Sequence, residues 1–281
     1  MNASAAGPIL LVGAGRMGGA LLKGWLAQGI APDRIFVQEP SLSGDVAALI
    51  RDAGIGTDTP PALPGAPAVM LLAVKPQVMD DVLPPLGSLA APDTLVISIA
   101  AGTTVASIAR HFASGAAIVR AMPNTPAAIG RGITALYANS FVAPEQRDAC
   151  AALLGAVGEM VWIEGEAQMD AVTALSGSGP AYVFLLAECM AKAGEAAGLA
   201  PELAARLARA TVAGAGELLH RSDLDPAELR RNVTSPGGTT AAALGVLMGE
   251  AQGSGATGPL DELLRAAVEA AARRSRELSG Q

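Results

Sequence analysis

Six residues near the start of the 281-residue chain have the glycine spacing of a phosphate-binding turn. Gly13-Ala14-Gly15-Arg16-Met17-Gly18 directly follows a short apolar run, Ile9 to Val12, and opens a helix-like segment, Met17 to Gln28. In this strand–turn–helix context the first glycine permits a tight turn, the second lets backbone approach a pyrophosphate, and the third lets helix and strand pack closely. Amides at the helix start then bind the anion. The segment therefore predicts a dinucleotide site.

A carboxylate follows this glycine fingerprint at the spacing typical of a ribose contact. Glu39 ends the second predicted strand, about twenty residues past the glycines. A carboxylate here accepts hydrogen bonds from the adenosine ribose and repels a 2′-phosphate, which favours NAD. Ser41 could instead bind a phosphate, and a solvated turn carboxylate before Pro40 is an alternative interpretation of Glu39. The residues predict NAD or NADP and leave the choice open.

Two further strand ends carry residues suited to the same ligand. Lys75, one of three lysines in the chain, lies in Ala73-Val74-Lys75-Pro76 at the end of a predicted strand, where an open α/β sheet binds ligands. We expect its ammonium group to face the cofactor, although it could serve only to cap the strand. Ser98-Ile99-Ala100-Ala101-Gly102 follows the next strand, and its small side chains would let the nicotinamide ribose approach.

A second anion site is predicted much later in the chain. Ser235-Pro236-Gly237-Gly238-Thr239-Thr240 precedes a helical run, Ala241 to Glu250. A Pro-Gly-Gly turn that opens a helix leaves backbone N–H groups without acceptors, and these suit a carboxylate. The hydroxyls of Thr239 and Thr240 add donors and acceptors. The alternative is a Ser or Thr N-cap that serves only the helix.

Two more segments are rich in glycine or proline. Leu175-Ser176-Gly177-Ser178-Gly179-Pro180-Ala181-Tyr182 separates two predicted helices, and Met122-Pro123-Asn124-Thr125-Pro126 follows a predicted strand. Both could approach the crevice between the halves of the molecule, and each taken singly is typical of a tight loop.

Residues for acid–base or metal chemistry are missing from these segments. His111 falls on a predicted helix, His220 ends another, and neither adjoins a glycine-rich loop. The sequence has no Ser-His-Asp order, no HExxH and no cluster of metal ligands. We therefore expect no metal, and a reaction that depends on positioning and on the cofactor.

The elements that carry these residues fall into two architectures. Short apolar strands alternate with helices up to about Trp162, which predicts a mostly parallel sheet covered on both faces. Strands are predicted at Ile9 to Val12, Ile35 to Val37, Ala68 to Val74, Leu95 to Ile99, Ile118 to Ala121, Thr134 to Tyr137 and Met160 to Ile163. Helices are predicted at Met17 to Gln28, Asp45 to Ala53, Val78 to Leu86, Val105 to Phe112 and Pro144 to Val157.

Only helical stretches remain after Glu164, so the predicted domains are 1–164, which binds the dinucleotide, and 165–281. The longest stretches, Ala181 to Ala197 and Glu202 to His220, are apolar around much of their circumference. Helices of this kind must be buried, and we favour burial against a second subunit.

Composition excludes several classes of protein. Hydrophobic residues make up 51% and charged residues 16%, which excludes disorder of the whole chain. The longest apolar stretch, Ala66 to Val74, falls well below the roughly 18 residues of a membrane span. A net charge of −7 and 3% aromatic residues argue against nucleic acid as a partner.

Features of the termini and the cysteines predict the compartment. Met1 to Gly7 carries no Lys or Arg, so no signal or transit peptide is expected, and we predict a cytoplasmic protein. Cys150 and Cys189 lie in helical segments without a CxxC motif, so neither a disulfide nor a zinc site is expected.

These motifs, in this order and spacing, resemble the pyrroline-5-carboxylate reductase family over essentially the whole chain. The fingerprint is shared by many dehydrogenases, whereas the Ser-Pro-Gly-Gly segment at 235–238, within the matching stretch Asn232 to Thr240, is specific to this family when it occurs together with Leu175 to Tyr182. The resemblance implies an α/β Rossmann N-terminal domain plus an all-α C-terminal dimerisation domain, similar to the C-terminal domain of 6-phosphogluconate dehydrogenase. It implies NAD(P)H-dependent reduction of 1-pyrroline-5-carboxylate to L-proline by a homodimer, with dimers often joined into decamers and the active site at the dimer interface.

The resemblance also implies roles for individual residues. The implied substrate contacts are Glu166, Gly238, Thr239 and Thr240. We hypothesise that the helix start from Gly238 to Thr240 binds the substrate carboxylate, that Thr240 orients the ring nitrogen, and that Glu166 stabilises the iminium charge. Because a cyclic imine enters already protonated, no side chain need supply a proton. The implied cofactor contacts are Gly13, Ala14, Gly15, Arg16, Met17, Gly18, Val74, Lys75, Ala101 and Asn232, with Glu39 and Ser41 added from the spacing argument.

One departure and two alternatives remain. Many family members have an asparagine in the loop after the third strand, whereas this chain reads Thr57-Asp58-Thr59-Pro60, so the adenosine-side contacts and the choice of nicotinamide stay open. A hydroxyacid dehydrogenase of the 6-phosphogluconate type would place a catalytic lysine four residues after Gly179, where this chain has Val183. A nucleotide-binding sensor without catalysis is the other alternative.

Overall fold

A β-sheet forms the centre of the first half of the chain. The computed structural model describes residues 7–42, 44–57, 62–249 and 258–280. Seven strands of this described part form the sheet, in the order β2-β1-β3-β4-β5-β6-β7. Every neighbouring pair is parallel except β5 with β6. The bounds are β1 Ile9–Val12, β2 Ile35–Gln38, β3 Val69–Leu72, β4 Leu95–Ser98, β5 Ala117–Met122, β6 Gly132–Ala138 and β7 Gly158–Trp162. The predicted mostly parallel sheet is confirmed.

Helices cover the strands and then make up the rest of the chain. Those that alternate with the strands are α1 Arg16–Ala27, α2 Gly44–Asp52, α3 Met79–Gly87, α4 Val105–Ala109 and α5 Pro144–Leu154. Those that follow are α6 Met169–Val172, α7 Gly179–Ala196, α8 Pro201–Arg221, α9 Pro226–Asn232, α10 Thr239–Met248 and α11 Pro259–Ser279. The fold class, a Rossmann-like sheet domain followed by a helical domain, is confirmed.

Two predicted helices end earlier than their apolar pattern suggested. Helix α4 stops at Ala109 because the amides of His111 and Phe112 bond to carbonyls three residues back, Ile108 and Ala109, rather than four. The prediction that His111 lies on a helix is therefore wrong. Residues 155–157, predicted as the end of α5, form a separate short 3₁₀ turn. Glu250, the predicted end of α10, lies outside the described residues, as do Asp58, Thr59 and Pro60.

Strands β1, β3 and β4 are buried on both faces, as their continuous apolar sequence requires. In β1, Ile9 and Leu11 pack with Trp25 of α1 on one face, while Leu10 and Val12 face the opposite cluster. Trp25 is fully buried, and its indole N–H donates to the carbonyl of Leu153 at 2.8 Å, which ties α1 to α5. This packing holds the turn between β1 and α1 in a fixed position.

The chain divides into two compact units, and the C-terminal end returns to the first. One unit comprises Met1–Gly177 with Ala272–Gln281, and the other Ser178–Ala271. The return is fixed by a hydrogen bond of 2.5 Å from the hydroxyl of Ser275, in α11, to the carboxylate of Asp170, in α6, and both residues are buried. The domain division at residues 164 and 165 stays a prediction.

Helices α7 and α8 of the second unit pack on each other yet leave much apolar surface exposed. Gly194 lies so close to Ala204 that a Cβ added to it would sit 3.3 Å from the alanine Cβ. Phe184 is 68% exposed, and Val183, Leu185, Leu186, Leu203 and Leu207 are exposed as well. No helix in the described part of the chain is long and apolar enough to cross a bilayer. A surface of this kind is typical of a face that a second protein chain covers.

Candidate active site

The three fingerprint glycines have three different surroundings. Gly13 has a φ of +94°, and an added Cβ would lie 2.8 Å from the carbonyl oxygen of Ala73. A Cβ on Gly18 would overlap the carbonyl oxygen of Gly13. Gly15 has nothing within 4 Å of its Cβ position. The first and third glycines are thus required by the fold, whereas the second leaves a space that a ligand can enter.

The start of α1 is suited to an anion. Its N-cap, Gly15, contributes no side-chain cap, and its first turn carries no acidic residue. The first amides of a helix have no intrahelical acceptors, and the helix dipole favours negative charge at this end. The space at Gly15 therefore opens onto donors that fit a pyrophosphate, which supports the predicted cofactor site at residues 13–18.

Strand register brings the other predicted cofactor residues to the same edge. Gln38, Val12, Leu72 and Ser98 are aligned across four parallel strands, so Glu39, Gly13, Ala73 and Ile99 begin neighbouring loops. Lys75 is exposed and extended at the start of a short turn, Pro76–Val78, and Val74 beside it is half-buried. Ala101 is exposed in the turn after β4. The geometry supports a ligand that runs along this edge.

Glu166, a predicted catalytic residue, is already engaged by two donors. Its Oε1 accepts hydrogen bonds from the backbone N–H of Val105, at 2.8 Å, and from the guanidinium of Arg120, at 2.9 Å. The Arg120 side chain is 4% exposed and that of Glu166 is 24% exposed. The amide and the guanidinium together fix the position of the carboxylate. The role of Glu166 toward an iminium stays a prediction.

Arg120 was not among the predicted site residues, although its position in the sequence indicated a buried charge. It stands in the strand segment Ile118 to Ala121, which is otherwise apolar, and a buried arginine requires a partner. That partner lies 46 residues away, so the sequence offered no means of choosing it.

Arg120→Met should lower the free energy of unfolding by about 2–3 kcal/mol, because it leaves Glu166 without its counter-charge in a largely buried place. Urea denaturation measures this change. Arg51→Met serves as the control, since Arg51 pairs with Asp52 at the surface and its loss should cost less than about 1 kcal/mol. Equal effects of the two variants would show that the buried Arg120 pair contributes no more to the free energy of unfolding than a surface pair does.

The two glycine- or proline-rich segments, at residues 122–126 and 175–182, meet in the structure. The Nδ2 of Asn124 donates to the hydroxyl of Ser176 at 3.3 Å, and its Oδ1 accepts from the amide of Ile133 at 3.0 Å. Ser176 belongs to a π-helical turn, Thr173–Gly177, a conformation that often occurs at functional sites. Asn124 therefore positions this turn relative to the end of β5.

In the second unit, the predicted substrate residues form the start of α10. Gly238 is the N-cap, with no side-chain cap bond, so the alternative of a Ser or Thr N-cap is wrong. Gly237 has a φ of +70°, which reverses the chain before the helix. Thr239 is exposed and Thr240 half-buried in the first turn, while Asn232 ends α9 and is exposed. The amides of this turn are available to a carboxylate.

The two cysteines have different surroundings. Cys150 is buried, and burial raises the pKa of its thiol to about 12. Cys189 is exposed and unpaired. Among the residues that the structure describes, no group of His, Cys, Asp and Glu could hold a metal ion.

Comparison with known proteins decides the family. Residues 166–278 match the family model for pyrroline-5-carboxylate reductase dimerisation, and residues 8–102 match that for NADP oxidoreductase, coenzyme F420-dependent. A pyrroline-5-carboxylate reductase of Pseudomonas aeruginosa is 42% identical over 274 residues, 97% of each chain. One from Synechocystis is 43% identical, over 95% of this chain and 97% of the other. The chain belongs to the pyrroline-5-carboxylate reductase family.

Solved structures of this reductase family have the same fold over nearly the whole chain. The pyrroline-5-carboxylate reductase of Coxiella burnetii is 36% identical with a TM-score of 0.85, over 97% of this chain and 98% of the other. The Plasmodium falciparum enzyme, solved with NADP bound, is 28% identical with a TM-score of 0.75, again over 97% and 98%. The predicted family is therefore confirmed.

Proposed function

We propose that this chain is an NAD(P)H-dependent pyrroline-5-carboxylate reductase, which reduces the C=N bond of 1-pyrroline-5-carboxylate to give L-proline, the last step of proline biosynthesis. Membership of the family over the full length of the chain carries this proposal. The open space at Gly15, in front of the uncapped start of α1, supports it independently.

The predicted site residues bind the cofactor, bind the substrate and orient it for this reaction. The amides at the start of α1 bind the pyrophosphate of the dinucleotide, and those of Thr239 and Thr240 bind the substrate carboxylate. The Thr240 hydroxyl orients the ring nitrogen. Glu166, fixed by Arg120, stabilises the positive charge of the protonated imine. When bound, the reduced nicotinamide supplies a hydride to the C=N carbon.

An absorbance assay separates this function from the alternatives. NADH or NADPH is mixed with the protein, with and without 1-pyrroline-5-carboxylate, and the absorbance of the reduced nicotinamide is followed. A steady fall that requires the imine supports the reductase. Cofactor binding without turnover would identify a sensor, and oxidation of hydroxyacids by NAD(P) would identify the 6-phosphogluconate type.

The oligomeric state and compartment complete the proposal. The match of residues 166–278 to a dimerisation domain assigns self-association to the helical half, and the exposed apolar side chains of α7 and α8 fit that role. We extend this to a homodimer that assembles into a decamer. A cytoplasmic location is supported by two cysteines that are both free, as in a reducing compartment.

Phe184→Asp should convert the native assembly into monomers and abolish most of the activity, because it places a charge in the apolar face that the partner covers. Light scattering coupled to size exclusion measures the mass. Phe141→Asp, at an exposed residue of the first unit, is the matched control and should leave the dimer intact. If Phe184→Asp left the mass of the assembly unchanged, α7 would not be part of the interface.

A further inference from the structure

We propose that Glu39 makes this enzyme prefer NADH to NADPH, an inference that rests on the proposed function because it concerns the same cofactor site. The carboxylate is held where the 2′-phosphate of NADPH would have to bind, and it is held by the amides that such a phosphate would need.

The position of Glu39 follows from strand register. Gln38 of β2 is aligned with Val12 of β1, and the amide of Gly13 donates to the carbonyl of Gln38 at 2.9 Å. Glu39 therefore begins its loop directly beside the fingerprint turn. In a sheet of this kind the adenosine ribose lies beside the residue that follows the second strand.

Two backbone amides fix the Glu39 side chain in this place. Its Oε2 accepts a hydrogen bond from the amide of Ala14, within the fingerprint, at 3.0 Å. Its Oε1 accepts one from the amide of Ser41 at 3.1 Å. The carboxylate thus links the end of β2 to the turn before α1, and its negative charge is fixed before any ligand arrives.

This arrangement suits two hydroxyls and opposes a phosphate. Each carboxylate oxygen can accept a further hydrogen bond, so a ribose with both hydroxyls free can donate to Glu39. A 2′-phosphate has no such proton to donate and carries like charge. It would also find the amide of Ser41 already occupied by Glu39.

The residues that directly follow Glu39 in the sequence add no cation that would offset this repulsion. The sequence from Glu39 to Ile50 contains no lysine or arginine and adds a second carboxylate, Asp45. Arg34 lies at the opposite end of β2, where its guanidinium donates to the carbonyl of Gly7. Arg16, exposed in the fingerprint, is a cation that could serve a 2′-phosphate, so it is tested directly.

The test measures binding alone, without substrate. The dissociation constants of NADH and NADPH are obtained from nicotinamide fluorescence with the full-length protein. We expect NADPH to bind about 10-fold more weakly or worse, given a fixed charge facing a doubly charged group within a few ångströms. Glu39→Gln removes the charge and keeps an acceptor oxygen for one of the two amides. The two constants should therefore converge, mainly through tighter NADPH binding.

One control variant and several possible outcomes would distinguish this proposal from its alternatives. Glu159→Gln neutralises an exposed carboxylate on β7, at the far edge of the sheet, and should leave the ratio of the constants unchanged. Tighter binding of NADPH by the unaltered protein, abolished in Arg16→Ala, would overturn the proposal, as would a ratio that Glu39→Gln leaves unchanged. Failure to bind either cofactor would overturn the proposed function and this inference with it, whereas a reversed ratio would overturn the inference alone.

Discussion

Gly15→Val is expected to weaken dinucleotide binding by roughly 100-fold while the protein still folds. Nothing lies within 4 Å of the Cβ position of Gly15, so the Cβ of the added side chain meets no protein atom. It would instead fill the space through which the pyrophosphate reaches the start of α1. Loss of two hydrogen bonds to an ionised group, each worth about 1.5 kcal/mol, corresponds to this factor. Fluorescence titration with NADH measures the change.

Two other glycines provide matched controls for Gly15→Val. Gly65 also has an open Cβ position, so Gly65→Val should leave cofactor affinity and stability unchanged. Gly18→Ala should instead destabilise the fold, because its Cβ would overlap the carbonyl oxygen of Gly13. If Gly15→Val bound NADH as tightly as the unaltered protein, the pyrophosphate would have to lie elsewhere.

Thr240→Ala is expected to lower kcat/KM for 1-pyrroline-5-carboxylate by about 10- to 100-fold. The variant removes a hydroxyl from the first turn of α10 and keeps the backbone amides, so binding of the substrate carboxylate should survive. The loss should therefore appear in kcat more than in KM. Affinity for NADH, measured without substrate, should not change.

The conservative variant Thr240→Ser distinguishes the hydroxyl from the shape of the side chain. It keeps a donor and acceptor at the same atom, so it should retain most of the activity that alanine loses. An unchanged kcat/KM in Thr240→Ala, or an equal loss in both variants, would remove the role assigned to the hydroxyl.

Local features of the sheet domain were predictable from the sequence. The apolar run Ile9 to Val12 matches β1 at both ends, because a strand buried on two faces must be continuously apolar. The fingerprint was equally predictable, since the positive φ of Gly13 and the close packing of Gly18 are requirements that only glycine meets. Features of this kind depend on neighbours in the chain.

Contacts between distant segments were not predictable in the same way. Arg120 bonds to Glu166, Asn124 to Ser176, and Ser275 to Asp170, the last pair 105 residues apart. A single sequence indicates that a buried arginine or aspartate needs a partner, and does not indicate which one. The cofactor end of the candidate site was therefore the more predictable part, because its function depends on the backbone of one local segment. The surroundings of Glu166 were less predictable, because they depend on side chains that the fold brings together.

The central claim is that this chain transfers a hydride from a reduced nicotinamide to the imine carbon of a small cyclic substrate. Incubation with NADH deuterated at the transferred position, followed by mass spectrometry of the product, tests it most directly. We expect L-proline that carries a single deuterium on the ring carbon formerly double-bonded to nitrogen. Proline without deuterium, or no proline while the protein binds NADH normally, would contradict it.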